Sequence, residues 1–255
     1  MELQATLPRR EGGGVGVACR HGSESFAWQC GIHYSNIMMT TMQPAPRHQC
    51  LIYKGAPSKH LPALAEAMRE KLRQNYRCLY LNSPPMVAGL RSYIAAAGVD
   101  VAQEVARGKL ILSSDRQHLA DGSFDIDRML RTLENLLDNA LRDRCAGLWA
   151  VGDMTWELGP ELDPARLLEY EWRLETLFHQ RPELSGICQY HADTLPRSLM
   201  RQSLLVHPSI FVNETLSLIN PHYLYSAAHA HEPGHAAHLD AAVTRLAQAG
   251  ELDRA

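Results

Sequence analysis

The sequence predicts an α/β fold, a three-layer sandwich built on a mainly parallel sheet. Three observations carry this expectation. Short apolar runs alternate with segments whose apolar residues recur at helical spacing, and that alternation implies right-handed crossovers between parallel strands. The run Leu148-Trp149-Ala150-Val151 is apolar at every position rather than every second one, as in a strand covered on both faces. The run stops at Gly152 and places Asp153, Thr155 and Trp156 at its end, which in an open α/β sheet is where ligands bind.

The chain has 255 residues, enough for one large domain or two small ones. A net charge of −3 with scattered Lys and Arg argues against a nucleic-acid surface in this chain, while leaving room for a separate DNA-binding partner. No apolar run is long enough to span a membrane. The six cysteines contain no C-x-x-C pair; Cys50, Cys78 and Cys188 lie inside apolar runs and Cys145 just before one. They read as reduced packing residues of a cytoplasmic protein.

Residues 1–44 read as a disordered leader. Gly12-Gly13-Gly14-Val15-Gly16-Val17 follows no strand and precedes no Gly-Lys-Ser/Thr, so it is not a phosphate loop. No continuous apolar core precedes a cleavage site, so a secretory signal is not expected. Met38, Met39 and Met42 leave a later start open. Pro44-Ala45-Pro46 punctuates the chain, and the α/β domain is placed at 45–215.

Within it, Cys50 to Tyr53 is a strand, Gly55 to Lys59 a turn, and Leu61, Leu64, Ala65, Met68 and Leu72 mark a helix. Cys78 to Leu81 is the second strand. Ser83 is placed as the cap of the next helix, with Pro84 at its first position and Gly98 at its end. A short helix over Val101–Arg107 leads to a third strand, Leu110 to Leu112. Asp125 caps a helix whose Ile126, Met129, Leu130, Leu133, Leu137, Ala140 and Leu141 share one face. After the strand Gly147 to Val151, a helix begins at Asp163-Pro164 with Leu167, Tyr170, Leu174, Leu177 and Phe178 on one side. Leu184 to Tyr190 is a strand, Leu195 to Leu205 a helix and Ser209 to Val212 a last strand. Residues 216–255 read as an exit segment and an alanine-rich tail helix or connector, outside the core.

A nucleotide hydrolase would carry its phosphate loop after the first strand. There the chain has Gly55-Ala56-Pro57-Ser58-Lys59-His60, with one glycine, a proline that removes an N–H donor, and no Ser or Thr after the lysine. A functional phosphate loop is therefore not expected, and the enzyme reading, an ATPase or kinase using Lys59 and Asp153, is the alternative. Asp153 caps a turn, accepts a hydrogen bond from a ligand, or does both. Tyr170 lies on the apolar helical face, whereas Glu171 stands one position round from it, where solvation is the plain expectation. Gln189, Tyr190 and His191 end their strand and are expected at the same sheet edge as Asp153, giving aromatic walls with a few polar contacts. His207 reads as a structural hydrogen-bonder or a ligand contact. His222, His229, His231, His235 and His238 form at most a weak, adventitious metal tract, because Pro233-Gly234 interrupts them and no glutamate stands between paired histidines. No nucleophile with an evident base is found. No cofactor or metal site is expected.

Six motifs stand in register: His48-Gln49-Cys50 with Tyr53, Gly122-Ser123-Phe124-Asp125, Gly152-Asp153-Met154-Thr155-Trp156, Glu169-Tyr170-Glu171, Cys188-Gln189-Tyr190 and His207-Pro208. Together they resemble the MEDS family, the sensory domain named for methanogens, methylotrophs and the dichloromethane-operon repressor. The resemblance implies a RecA/KaiC-like fold that has lost its nucleotide loop, and a role in sensing small organic compounds, such as simple hydrocarbon derivatives; the leading reading is accordingly a non-catalytic signalling module. It also implies a signalling partner: a histidine kinase, an anti-sigma antagonist or a transcription regulator. Asn220-Pro221-His222-Tyr223 is similar to the segment leading to a signalling helix in such proteins. His191 departs from the family, which often has an acid there. The candidate ligand-binding residues are accordingly His48, Tyr53, Asp153, Thr155, Trp156, Tyr170, Glu171, Gln189, Tyr190 and His207. A homo-oligomer, or a purely structural adaptor in which these residues only pack, is left open.

Overall fold

A computed structural model describes residues 47–114, 124–157, 164–224 and 236–252, without the side chains of 156–157, 236–238 and 249–252. The expected leader, Gly122-Ser123, and the tail histidines His229, His231 and His235 lie outside the described residues. The strands are β1 (His48–Tyr53), β2 (Arg77–Asn82), β3 (Leu110–Ser114), β4 (Leu148–Asp153), β5 (Leu184–His191), β6 (Ser209–Phe211) and β7 (Ser217–Ile219). The helices are α1 (Leu61–Arg73), α2 (Pro84–Ala96), α3 (Val101–Ala106), α4 (Ile126–Arg142), α5 (Met154–Glu157), α6 (Pro164–Gln180), α7 (Arg197–Val206) and α8 (Ala236–Leu252), with a 3-10 turn at Pro57–His60.

The strands form one seven-stranded sheet in the order β3-β2-β4-β5-β1-β6-β7. Every pairing is parallel except the antiparallel β6–β7 hairpin. Helices cover both faces, so the central strands bury side chains in two directions and the sandwich has three layers. One face packs Cys50, Ile52, Leu81, Leu148 and Tyr190 against α4, α6, α7 and α8. The other packs Leu51, Tyr53, Tyr80, Val151 and Ile187 against α1, α2 and α3. At Gly186, in the middle of β5, an added Cβ would lie 2.2 Å from the Ala150 carbonyl oxygen, so only glycine fits beside β4.

Local chemistry sets the helix starts. Asp125 accepts a hydrogen bond from the Arg128 amide at 2.9 Å, and Asp100 from that of Gln103 at 3.0 Å. The expected stripe of α4 is the buried one, with Ile126, Met129, Leu133, Leu137 and Ala140 against the sheet. Ser83 occupies the cap position of α2, but its side chain makes no capping bond. Its own amide is held at 2.7 Å by the Asn82 side chain instead.

Two features differ from the sequence expectation. A strand, β7, follows the expected last one and closes a hairpin with it. And α8 is no detached tail: Leu239, Ala242, Val243 and Ala247 are buried within the core cluster that also holds Leu199, Leu204 and Ile210. Small alanines let α8 approach α7 and β1 closely, at the expense of the strong apolar contrast that marks a core helix in sequence. Among the described residues no helix is long and apolar enough to cross a membrane.

Candidate functional site

The residues with chemical potential fall into two groups on opposite faces of the sheet. The first lies at the carboxyl rim. Tyr53, Asn82, Asp153 and His191 are the last residues of β1, β2, β4 and β5, and the strand registers put them on one face with Tyr80 and Gln189. The Tyr53 ring stacks on His191, centroids 5.0 Å apart, and meets His60 edge-on at 4.7 Å. Asn82 donates to the Tyr80 hydroxyl at 3.0 Å. Asp153 accepts the Thr155 backbone N–H at 2.8 Å, so the capping role expected of it is made. Burial pushes the Asp153 carboxyl up from its ordinary range, against the pull of the Thr155 N–H and His191. Burial, and then the neighbouring Asp153, push the Tyr53 and Tyr80 phenols upward, so both stay protonated. Next to this rim, the Gly55 N–H donates to the Asp193 carboxylate at 2.8 Å.

The second group is enclosed between the sheet and α6. His48, at the start of β1, and Cys188 and Tyr190, on β5, point to the face opposite Asp153. Glu171 and Glu175 reach them from successive turns of α6, and His207 enters from the end of α7. His48 Nδ1 lies 2.6 Å from Glu175 Oε2, and the Tyr190 hydroxyl donates to Glu171 Oε1 at 2.5 Å. His207 Nδ1 donates to the Ser203 carbonyl at 2.7 Å. Phe178 stacks on the His48 ring at 4.4 Å, and the His207 ring lies 3.9 Å from it. Glu171 Oε2 is 3.7 Å from His48 Nε2 and 3.6 Å from His207 Nε2, and Cys188 Sγ is 3.5 Å from His48 Nε2. Burial raises the Glu171 carboxyl, opposed by His48 and Tyr190, and holds His207 well below its ordinary value. Burial would raise Glu175 as well, but hydrogen bonds from His48 and Tyr223 outweigh it and keep that carboxyl low. Tyr223, in the exit segment, donates to Glu175 Oε1 at 2.6 Å.

The ten residues singled out in the sequence are therefore not one constellation. Tyr53, Asp153 and Gln189 meet at the rim, whereas His48, Glu171, Tyr190 and His207 meet in the enclosed group. The expectation that Gln189, Tyr190 and His191 share an edge fails on side-chain alternation, which sends Tyr190 to the other face. Glu171 is not solvated but 1 % exposed. Tyr170 is core, its ring edge-on to Phe124 at 5.1 Å. Thr155 stands in α5 beside Asp153; Trp156 lies in α5 with its side chain outside the described residues. Sequence reasoning missed Glu175, Tyr80, Asn82 and the polar setting of Cys188. The Glu171/Glu175 spacing, two acids one turn apart beside an apolar stripe, was the available signal.

The fold defines the class first, a three-layer α/β domain with a mainly parallel sheet and its polar rim at the carboxyl ends of the strands. The chain belongs to the MEDS family, the MEthanogen/methylotroph, DcmR Sensory domain, which matches residues 47–208. Its role is thus sensory. Among solved structures the chain is similar to a KaiC-like protein from the hyperthermophilic archaeon Pyrococcus horikoshii OT3. That match has 13% identity and a TM-score of 0.45, and covers 64% of this chain and 69% of that one. No curated protein matches the chain.

Proposed function

We propose that the chain is a non-catalytic sensory module that binds a small organic molecule, of the simple hydrocarbon-derivative class, at the carboxyl rim of the sheet. The observation that carries this reading is the convergence of Tyr53, Asp153 and His191 at the ends of adjacent and near-adjacent strands. Aromatic rings supply apolar contact, and one carboxyl with neighbouring amides supplies orientation, the usual make-up of a small-molecule site. Thr155, Trp156 and Gln189 belong to the same rim in this reading. The signal leaves through the 220–223 segment and α8 to a cytoplasmic partner: a histidine kinase, an anti-sigma antagonist or a transcription regulator. Such a ligand acts only by binding one arrangement of these elements better than another.

Phosphate transfer is disfavoured by the turn after β1. The Gly55 N–H is engaged by Asp193, and Pro57 starts a 3-10 turn where a phosphate cradle would need free amides. The test is calorimetric titration of short alcohols, amines and halomethanes into the wild-type chain and into Asp153→Asn and Tyr53→Leu variants. Binding that both substitutions weaken supports the rim. Binding unchanged in both variants removes it, and Lys59-dependent turnover of Mg-ATP overturns the non-catalytic reading.

A further inference from the structure

The enclosed group under α6 has an unusual polarity. His48 Nδ1 faces a carboxylate and His207 Nδ1 faces a carbonyl, so both rings carry their proton on Nδ1. Their Nε2 lone pairs are thereby turned inward, toward Glu171 Oε2 and Cys188 Sγ. Three acceptor atoms and the Cys188 thiol, which lies 3.5 Å from His48 Nε2, converge with all four atoms within 4.8 Å of one another. His207 Nε2 and Glu171 Oε2 meet no hydrogen-bond partner among the described residues. The four side chains are between 0 and 4 % exposed, where inward-facing acceptors without a cation are costly.

We infer that His48, Glu171, Cys188 and His207 form a tetrahedral site for a divalent first-row metal ion, with zinc the best match. Bonds of about 2.0–2.2 Å to nitrogen and oxygen and about 2.3 Å to sulfur place tetrahedral ligands about 3.3–3.6 Å apart. Three of the six edges are 3.5, 3.6 and 3.7 Å and the other three lie within 4.8 Å, so an ion is seated by shifts of a few tenths of an ångström along the short edges and of up to about one ångström along the others. Charge balances: a thiolate, a carboxylate and two neutral imidazoles neutralise a dication, with the thiol proton released on binding. Softness agrees, because mixed imidazole, thiolate and carboxylate donors suit zinc rather than magnesium or calcium.

The surrounding shell is the one such a site requires. Ligating imidazoles commonly donate their second N–H to a carboxylate or carbonyl, as His48 does to Glu175 and His207 to Ser203. The remaining Glu171 oxygen is held by Tyr190, and Phe178 fixes the plane of His48. Four protein ligands leave no open position for substrate, so the site is a closed structural one, not a hydrolytic centre. It lies on the face opposite the proposed ligand rim and does not depend on that reading.

The test uses the full chain refolded with one equivalent of Zn²⁺ or Co²⁺, then dialysed. Expected are about one bound ion per chain and, for cobalt, intense tetrahedral d–d bands with a thiolate-to-cobalt charge-transfer band. Cys188→Ser should abolish the charge-transfer band. Glu175→Gln and Tyr190→Phe, which leave all four ligands in place, should weaken metal binding about 10–100-fold. A folded wild-type chain that retains no ion overturns the proposal. So does a cobalt spectrum without the thiolate band, which would assign the metal to other residues such as the tail histidines, or one unchanged in Cys188→Ser, which would assign it to another cysteine.

Discussion

Replacing Tyr223 with phenylalanine tests whether the exit segment is anchored to the buried carboxylates of α6. The substitution removes the hydroxyl that donates to Glu175 Oε1 at 2.6 Å and changes nothing else in shape. A hydrogen bond to a charged acceptor contributes about 1.5–3 kcal/mol. Tyr223 is half-buried, so water recovers part of this, and Glu175 keeps its bond to His48. The expected loss is about 1–2 kcal/mol. With a urea slope near 2 kcal/mol per molar, the midpoint falls by about 0.5–1 M. His179 Nε2 lies 3.0 Å from both the Tyr223 hydroxyl and Glu175 Oε1, so a double-mutant cycle with Glu175→Gln in a His179→Ala background isolates the pair and should return a coupling of about 1 kcal/mol. Urea unfolding followed by far-ultraviolet circular dichroism supplies all four corners of the cycle. Coupling below about 0.3 kcal/mol would refute the anchoring, because Tyr223 and Glu175 would then be neighbours without shared energy.

Other outcomes follow from the same packing. Asp153→Asn keeps the acceptor for the Thr155 N–H but cannot ionise. Because the folded carboxyl of Asp153 titrates above its ordinary value of 3.8, its favourable contribution is complete below that pH and is lost as pH rises through the raised value. The variant should therefore match the wild type near pH 3 and become the more stable of the two toward neutrality, as read from urea midpoints across pH; the opposite trend would mean the buried carboxylate is charged and paired. Gly186→Ala drives a Cβ against the Ala150 carbonyl, and thermal unfolding should show a loss of about 1–3 kcal/mol. Leu239→Ala, in α8, should cost about 2–5 kcal/mol if the helix belongs to the core, and almost nothing if it hangs free.

Local pattern carried most of the fold. The unbroken apolar run of β4 and the stripe of α4 need only their immediate neighbours to be recognised, since burial on two faces or one leaves its period in the chain. β7 left no such trace: its three residues are exposed, and it is a strand only because β6 lies alongside. α8 was hidden by its alanines, which make close packing possible but blur the contrast between its faces. The enclosed group was the least legible. His48 and Glu175 are 127 positions apart, and His48 and Cys188 are 140 apart, so nothing periodic connects them. Reading Glu171 as solvated followed from its place beside the stripe, but α6 is covered widely enough to bury Glu171 and Glu175 as well. At the rim, Asp153 was found because it ends a conspicuous strand, whereas Tyr80 and Asn82 required knowing that β2 lies next to β4.

Strand β5 is the partition between the two groups. Its even-numbered residues, Cys188 and Tyr190, face one compartment, and its odd-numbered ones, Gln189 and His191, face the other. It is tied into the ladders of both β4 and β1, so it cannot slide without breaking hydrogen bonds along two flanks at once. Side-chain scanning along this single strand thus reads each compartment separately. An alternate-residue ladder of substitutions should therefore sort into two phenotypes with a period of two.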